Sequence, residues 1–172
     1  RLLLDRYPGI DCHFATHHAV NLLTSGDMIR RFLPDREFYS CGFGDIPELV
    51  YKYIMTCPPE EMPEIRSFAE EIVGNEADVL QSSPFFLELL PVGISKGKAL
   101  RRVCELTGRS IQNCAAVGDY ENDLEMIRTA GIGAAPENAI PAVKEAADYL
   151  LEPCEKDAIA ELINILEERY IR

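Results

Sequence analysis

The hydrophobic pattern of the first half of the chain is mostly the two-residue alternation of strands. Residues 11–23 are rich in alternating and β-branched positions and predict a strand with a turn inside it. Residues 37–41 and 50–56 are strand-like, as are 78–82 and 85–90, the last two separated by Ser83-Pro84. Between them, Pro58-Pro59 opens a stretch whose apolar positions Met62, Ile65, Phe68, Ala69 and Ile72 fall on one helical face, predicting a helix over 60–73. Residues 1–7 read as the tail of a helix stopped by Pro8-Gly9. Strands with few helices predict a small open sheet with helices on one side, an α+β layer.

From residue 93 onward, short apolar runs alternate with helical spacing. The spacing predicts a helix over 97–106, with Leu100, Val103 and Cys104 at the helical spacing of one face and Gly108 as terminator. Residues 114–117 predict a strand buried on both faces. A helix over 121–130, a strand over 132–135, a helix over 140–147 and a strand over 149–151 follow. A closing helix over 157–170 would turn Ile159, Leu162, Ile163 and Leu166 inward. This β-α-β-α order predicts a parallel sheet flanked by helices, a Rossmann-like α/β core in which ligands bind beyond the carboxyl ends of strands. The expected division is therefore 1–92 and 93–172.

Composition narrows the function classes. The 172 residues carry a formal net charge of −12, which argues against nucleic acid or an anionic membrane as partner, though not against a small phosphorylated substrate. No apolar run approaches the roughly 18 residues of a membrane span, and no signal-peptide layout opens the chain, so the expected location is the cytoplasm. The six cysteines include no Cys-x-x-Cys pair, which leaves no zinc ribbon or thioredoxin-like motif. They read as small core hydrophobes kept reduced. The chain opens Arg1-Leu2-Leu3-Leu4-Asp5 without a methionine, as though cut from something longer.

Two loops carry candidate chemistry. Gly93-Ile94-Ser95-Lys96-Gly97-Lys98-Ala99 follows a strand and opens a helix, where free N–H groups and the Lys96 ammonium could meet an anion. It is not a P-loop, because the first glycine is one residue too close and Ala99 replaces the required hydroxyl. The second, Val117-Gly118-Asp119-Tyr120-Glu121-Asn122-Asp123, places Asp119 at the carboxyl end of a strand. A carboxylate there can reach magnesium, which takes one or two carboxylates plus water and substrate oxygens, or it can simply cap the next helix. A calcium loop is excluded, since Leu124 stands at the obligatory glycine. Cation and carboxylate at two β-to-α transitions of one sheet are complementary parts of phosphoryl chemistry. His13, His17 and His18 also cluster, but in a strand the His-x-x-x-His spacing diverges, so packing or surface roles are expected.

Together these residues resemble a known family. Ser95 to Leu100, Gly118 to Ile127 and Ala134 to Ala139 closely resemble the third and fourth motifs of haloacid dehalogenase (HAD) superfamily phosphatases of the Cof type, in order and spacing. Tyr51 to Ile54 and Phe85 to Leu89 resemble strands of that subfamily's inserted α/β cap. The resemblance implies a cap over 1–92 and the C-terminal part of the core over 93–172. It implies that Lys96 steadies phosphate and nucleophile, that Asp119 ligates Mg2+ and that Asn122 contacts the substrate phosphate. Asp123 would hold the catalytic site in register, and the cap would select the metabolite.

The family's nucleophile sits in an Asp-x-Asp segment, and no Asp-x-Asp occurs in this sequence. The expectation is an N-terminally truncated phosphatase that is inactive as it stands. Its exposed apolar sheet surface would pair with a missing core segment or with itself. A phosphate- and metal-binding remnant without hydrolysis, or a phosphomutase-like relative, shares the same residues.

Overall fold

A computed structural model describes residues 1–171, which form two compact units, one over Arg1–Gly93 and one from Ile94 onward. In the first unit, α1 (Leu2–Arg6) leads into a hairpin of β1 (Asp11–Ala15) and β2 (Val20–Leu22). There follow α2 (Ile29–Phe32), β3 (Tyr39–Ser40), β4 (Lys52–Thr56), α3 (Met62–Val73), β5 (Ala77–Gln81) and β6 (Phe86–Pro91). The six strands make one sheet in the order β3-β2-β1-β4-β6-β5, antiparallel except where β3 runs parallel to β2.

Register explains the core. Cys12 lies opposite Met55 and Met55 opposite Leu87, so one face presents a continuous apolar row. Met62, Ile65 and Ala69 of α3 close on that row with Leu3 of α1, all buried. Their spacing is the helical one that the sequence showed. The other face carries Asp11, His13, Thr56 and Glu88, buried despite their polarity. Lys52 pairs with Glu88 at 2.9 Å.

Asp11 organises the chain after the hairpin. Its carboxylate accepts hydrogen bonds from the Thr24 hydroxyl at 2.6 Å and from the N–H groups of Gly26 (3.0 Å), Met28 (2.6 Å) and Ile29 (3.0 Å). Burial alone would push its pKa up. The bonds from Thr24, Ile29, Met28 and Gly26 outweigh burial and hold it below the usual value. The four-residue α2 is too short to show a period in the sequence and was not predicted. It exists where Asp11 satisfies its first N–H groups.

In the second unit, α4 (Lys96–Thr107) precedes β7 (Ala115–Val117), α5 (Leu124–Thr129), β8 (Ile132–Pro136), α6 (Pro141–Ala146), β9 (Tyr149–Leu151) and α7 (Ala158–Leu166). The three strands are parallel in the order β7-β8-β9. Val143 and Ile127 fill one core cluster with Ala116 and Ala135, and Leu162 and Ala158 fill another with Ala134 and Leu151. No helix among the described residues is long and apolar enough to cross a membrane.

Four sequence expectations are corrected. The strand at 114–117 is not buried on both faces. It is an edge strand among the described residues, and Ala115 is exposed. Val103 is 55% exposed, because the inward row of α4 runs through Gly97, Leu100 and Cys104. Ile159 and Ile163 of α7 are also exposed, since its inward row begins at Ala158 and continues through Leu162, Ile165 and Leu166. The strand expected over 37–41 shrinks to Tyr39–Ser40, which pair with β2 at only two positions.

Two measurements test the polar face of the first unit. Asp11→Ala leaves a hydroxyl and three N–H groups without their acceptor. It is expected to cost about 3 kcal/mol or more in urea unfolding at neutral pH. His13 is buried with its Nδ1 unpartnered, and burial, aided by the Lys52 ammonium, lowers its pKa from 6.5 to about 4. The unfolded chain then binds the proton first as pH falls, so stability is full above 6.5 and is lost towards pH 4. The loss is about 3 kcal/mol. His13→Leu is expected to flatten that slope, and an unchanged slope would assign it to other groups.

Candidate active site

The start of α4 is set by Ser95, whose backbone is extended (φ −150°, ψ 160°) and whose Oγ accepts the Lys98 N–H at 3.1 Å, a helix N-cap. Lys96 is therefore the first helical residue, one earlier than the periodicity predicted. Gly97 faces α5 so closely that a Cβ would lie 2.9 Å from the backbone carbonyl of Glu125. A side chain there would push the two helices apart and carry Lys96 away from the next loop.

That loop follows β7. Gly118 comes off the strand, and the 3-10 turn Glu121–Asp123 enters α5. A Cβ on Gly118 would stand 2.3 Å from the Cβ of Asp123, so only glycine lets the strand end and the helix start close on each other. The side chain of Asp123 is 7% exposed. Its Oδ1 receives the Lys96 ammonium at 2.5 Å, and its Oδ2 receives the N–H groups of Asp119 at 3.2 Å and Tyr120 at 3.4 Å. One buried carboxylate thereby fixes the lysine from one loop and the backbone of the other.

Lys96 keeps its head in reach of solvent, with its side chain 49% exposed. An ammonium has three donors, and Asp123 takes one. The Asp119 carboxylate has no hydrogen-bond or ion-pair partner among the described residues. Its carbonyl accepts the Ile140 N–H at 2.9 Å, which anchors the loop to the start of α6. Asn122 has a buried Oδ1 without a partner. The structure thus brings Lys96, Asp123 and the backbone at Asp119 together, and leaves the Asp119 carboxylate and the Asn122 amide oxygen uncommitted.

The donor set has a definite chemistry. No group of three or more His, Cys, Asp or Glu side chains among the described residues could enclose a metal ion by itself. A single free carboxylate does suit magnesium, which takes few protein ligands and fills its octahedron with water and substrate oxygens. Asp119 fits that role, and Asp123, engaged with Lys96, does not. The histidines gather no site. His13 is buried in β1, and His17 and His18 stack edge to face in the exposed hairpin loop, with the Tyr51 hydroxyl 3.3 Å from His17 Nδ1. Sequence reasoning gave no part to Gly97 and Gly118 as spacers. Their only signal was a glycine beside each candidate residue.

Comparison with known proteins identifies the family. Residues 37–163 match the family model of the haloacid dehalogenase-like hydrolases. Over 95 residues the chain is 41% identical to 5-amino-6-(5-phospho-D-ribitylamino)uracil phosphatase of Bacillus subtilis, covering 55% of this chain and 38% of that protein. Over 112 residues it is 33% identical to the HMP-PP phosphatase of Yersinia enterocolitica, covering 64% of this chain and 41% of the relative. A solved haloacid dehalogenase-like hydrolase from Bacteroides thetaiotaomicron superposes on 96% of the chain and 64% of its own length, with a TM-score of 0.76 and 28% identity. The chain spans about two fifths of the length of these curated relatives. A match over most of its residues, joined to a mixed fold of parallel α/β core and α+β cap, makes the chain a member of the haloacid dehalogenase-like hydrolases.

Proposed function

We propose that this chain supplies the lysine-and-carboxylate side of the active site of a phosphoric monoester hydrolase acting on small phosphorylated metabolites. The observation that carries the proposal is the Lys96–Asp123 pair at 2.5 Å beside the uncommitted Asp119 carboxylate. Lys96 donates to a phosphate oxygen and offsets its charge, and Asp123 positions the ammonium while bracing the loop. Asn122 turns its amide to the same phosphate. Asp119 holds Mg2+, which when bound neutralises phosphate charge as a Lewis acid. The unit Arg1–Gly93 acts as the cap that selects the metabolite, and Ile94–Arg172 belongs to the core. Two of the relatives are phosphatases whose names specify a phosphoribityl compound and HMP-PP, which supports a small-metabolite substrate class.

The reaction also needs a carboxylate nucleophile, and the sequence has no Asp-x-Asp to provide one. The proposal places that nucleophile outside residues 1–172. The unpaired edge of β7 and the exposed Val103, Leu106, Leu150, Ile159 and Ile163 support pairing with a further core segment or with a second copy. The rival reading, a phosphate- and metal-binding remnant without hydrolysis, is favoured by the same absence.

Two experiments test this reading. Titration of the chain with Mg2+, followed by amide NMR, is expected to shift the signals of residues 118–123, and Asp119→Asn is expected to abolish the shift. Lys96→Ala should keep the metal response and weaken inorganic phosphate by about tenfold or more, the scale of one charge-assisted contact. Shifts spread elsewhere, or none, would reject the site. In the second, the chain with Mg2+ is expected to leave p-nitrophenyl phosphate unhydrolysed. Turnover abolished by Asp119→Asn would show that the nucleophile lies within these residues.

A further inference from the structure

Of the six cysteines, Cys104 and Cys114 stand apart from the rest. Their Sγ atoms lie 3.3 Å apart, within hydrogen-bond distance of each other, and neither is in a disulfide. Cys104 is buried near the end of α4, and Cys114 is half-buried just before β7. Both are anchored. The Cys104 carbonyl accepts the Arg109 N–H at 2.9 Å, and the Cys114 carbonyl accepts the Ile132 N–H at 3.0 Å. A cleft of about 560 Å³ lined by Gln112, Asn113, Cys114 and Leu166 opens on the Cys114 side, wide enough for a small oxidant. The other four thiols lack this arrangement. Cys12 and Cys57 are buried, and burial pushes their thiols up to about 12; the Cys104 thiol is raised too, by its hydrogen bond to Cys114 and then by burial. Cys41 and Cys154 lie near or at the surface, and the Cys41 thiol donates to the Gly42 carbonyl.

We propose that Cys104 and Cys114 are a modification site, a dithiol that a peroxide closes to a disulfide joining α4 to the entrance of β7. One thiol, as its thiolate, attacks the peroxide and becomes a sulfenic acid, releasing one water once the proton is counted. The sulfur of the second thiol then attacks the first, the S–S bond forms and the S–O bond breaks, and a second water leaves. Two thiols and one peroxide give one disulfide and two waters. Bond formation needs the sulfurs to approach by about 1.3 Å, to the covalent length of about 2.05 Å. The accessible Cys114 is the natural first target, and Cys104 the resolving thiol. The bridge would fasten two elements that also carry the phosphate-site loops, Lys96 at the start of α4 and Asp119 just past β7. It lies at their far ends, about 12 Å along α4 from Lys96.

The test is a peptide map of the folded chain. The chain is treated with one equivalent of hydrogen peroxide, quenched with catalase, alkylated and digested with trypsin. Cleavage after Arg102, Arg109 and Arg128 puts Cys104 in peptide 103–109 and Cys114 in peptide 110–128. The expected product is these two peptides joined and released by dithiothreitol, at least about tenfold above any other cysteine pair. The urea-unfolded chain should show no such preference, because only the fold holds the sulfurs in contact. Cys104→Ser should leave Cys114 as a sulfenic acid that dimedone captures. Peptides 103–109 and 110–128 recovered separately, at a dose that oxidises the exposed Cys154, would overturn the proposal. So would an equal preference in the unfolded chain, which would make nearness in sequence the cause. If the serine variant fails to fold, the comparison of folded and unfolded wild type decides alone. The outcome does not depend on phosphate or metal binding.

Discussion

Burying a carboxylate costs several kcal/mol unless donors surround it, and around Asp123 three donors come from two places in the chain. Lys96 arrives from the first turn of α4, and the N–H groups of Asp119 and Tyr120 arrive from the loop after β7. Because the cost is met only when all of them converge, the carboxylate selects one arrangement of strand end, loop and helix start. The position of the Lys96 ammonium and the direction of the Asp119 carboxylate are consequences of that arrangement. Ile140 completes the frame by tying the loop backbone to α6.

The first unit solves a similar problem with a different geometry. There the buried carboxylate is Asp11, and its donors are a hydroxyl and three backbone N–H groups drawn from residues 24–29. It converts an irregular segment into the start of a short helix. Its neighbour His13 has no such partners, and is tolerated as a neutral ring against Phe38, with ring centres 5.7 Å apart. One face of the sheet is thus apolar and held by area, and the other mixes apolar side chains such as Leu22 with polar ones, of which Asp11 and Glu88 are held by directed bonds.

What the sequence disclosed follows from the range of each interaction. The helix at Met62–Val73 and the strands around it were legible because Met62, Ile65 and Ala69 recur with the helical period, and because the alternation in 50–56 and 85–90 matches the strand pleat. The parallel arrangement at 115–151 was legible from its alternation of strand and helix. The short α2 was not, because it depends on Asp11, fifteen or more residues away. Nor were the exposures of Ala115, Val103, Ile159 and Ile163. Each is apolar and locally suited to a core, and only the order of strands and the packed row of each helix decides which way it faces. At the candidate site the residue types could be read directly. The bond from Lys96 to Asp123 could not, since it spans 27 residues and two loops.

The contact between Gly118 and Asp123 also bears on how this sequence can change over time. With 2.3 Å between a hypothetical Cβ at 118 and the Cβ at 123, an alanine at 118 is barred while an aspartate, or any residue with a Cβ, stands at 123. Glycine at 123 would admit that alanine but would strip the lysine and the loop of their acceptor. No sequence of single replacements puts a side chain at 118 without an intermediate that either clashes or loses the carboxylate. The two positions are therefore locked as a unit, and drift in this half of the chain must pass around them.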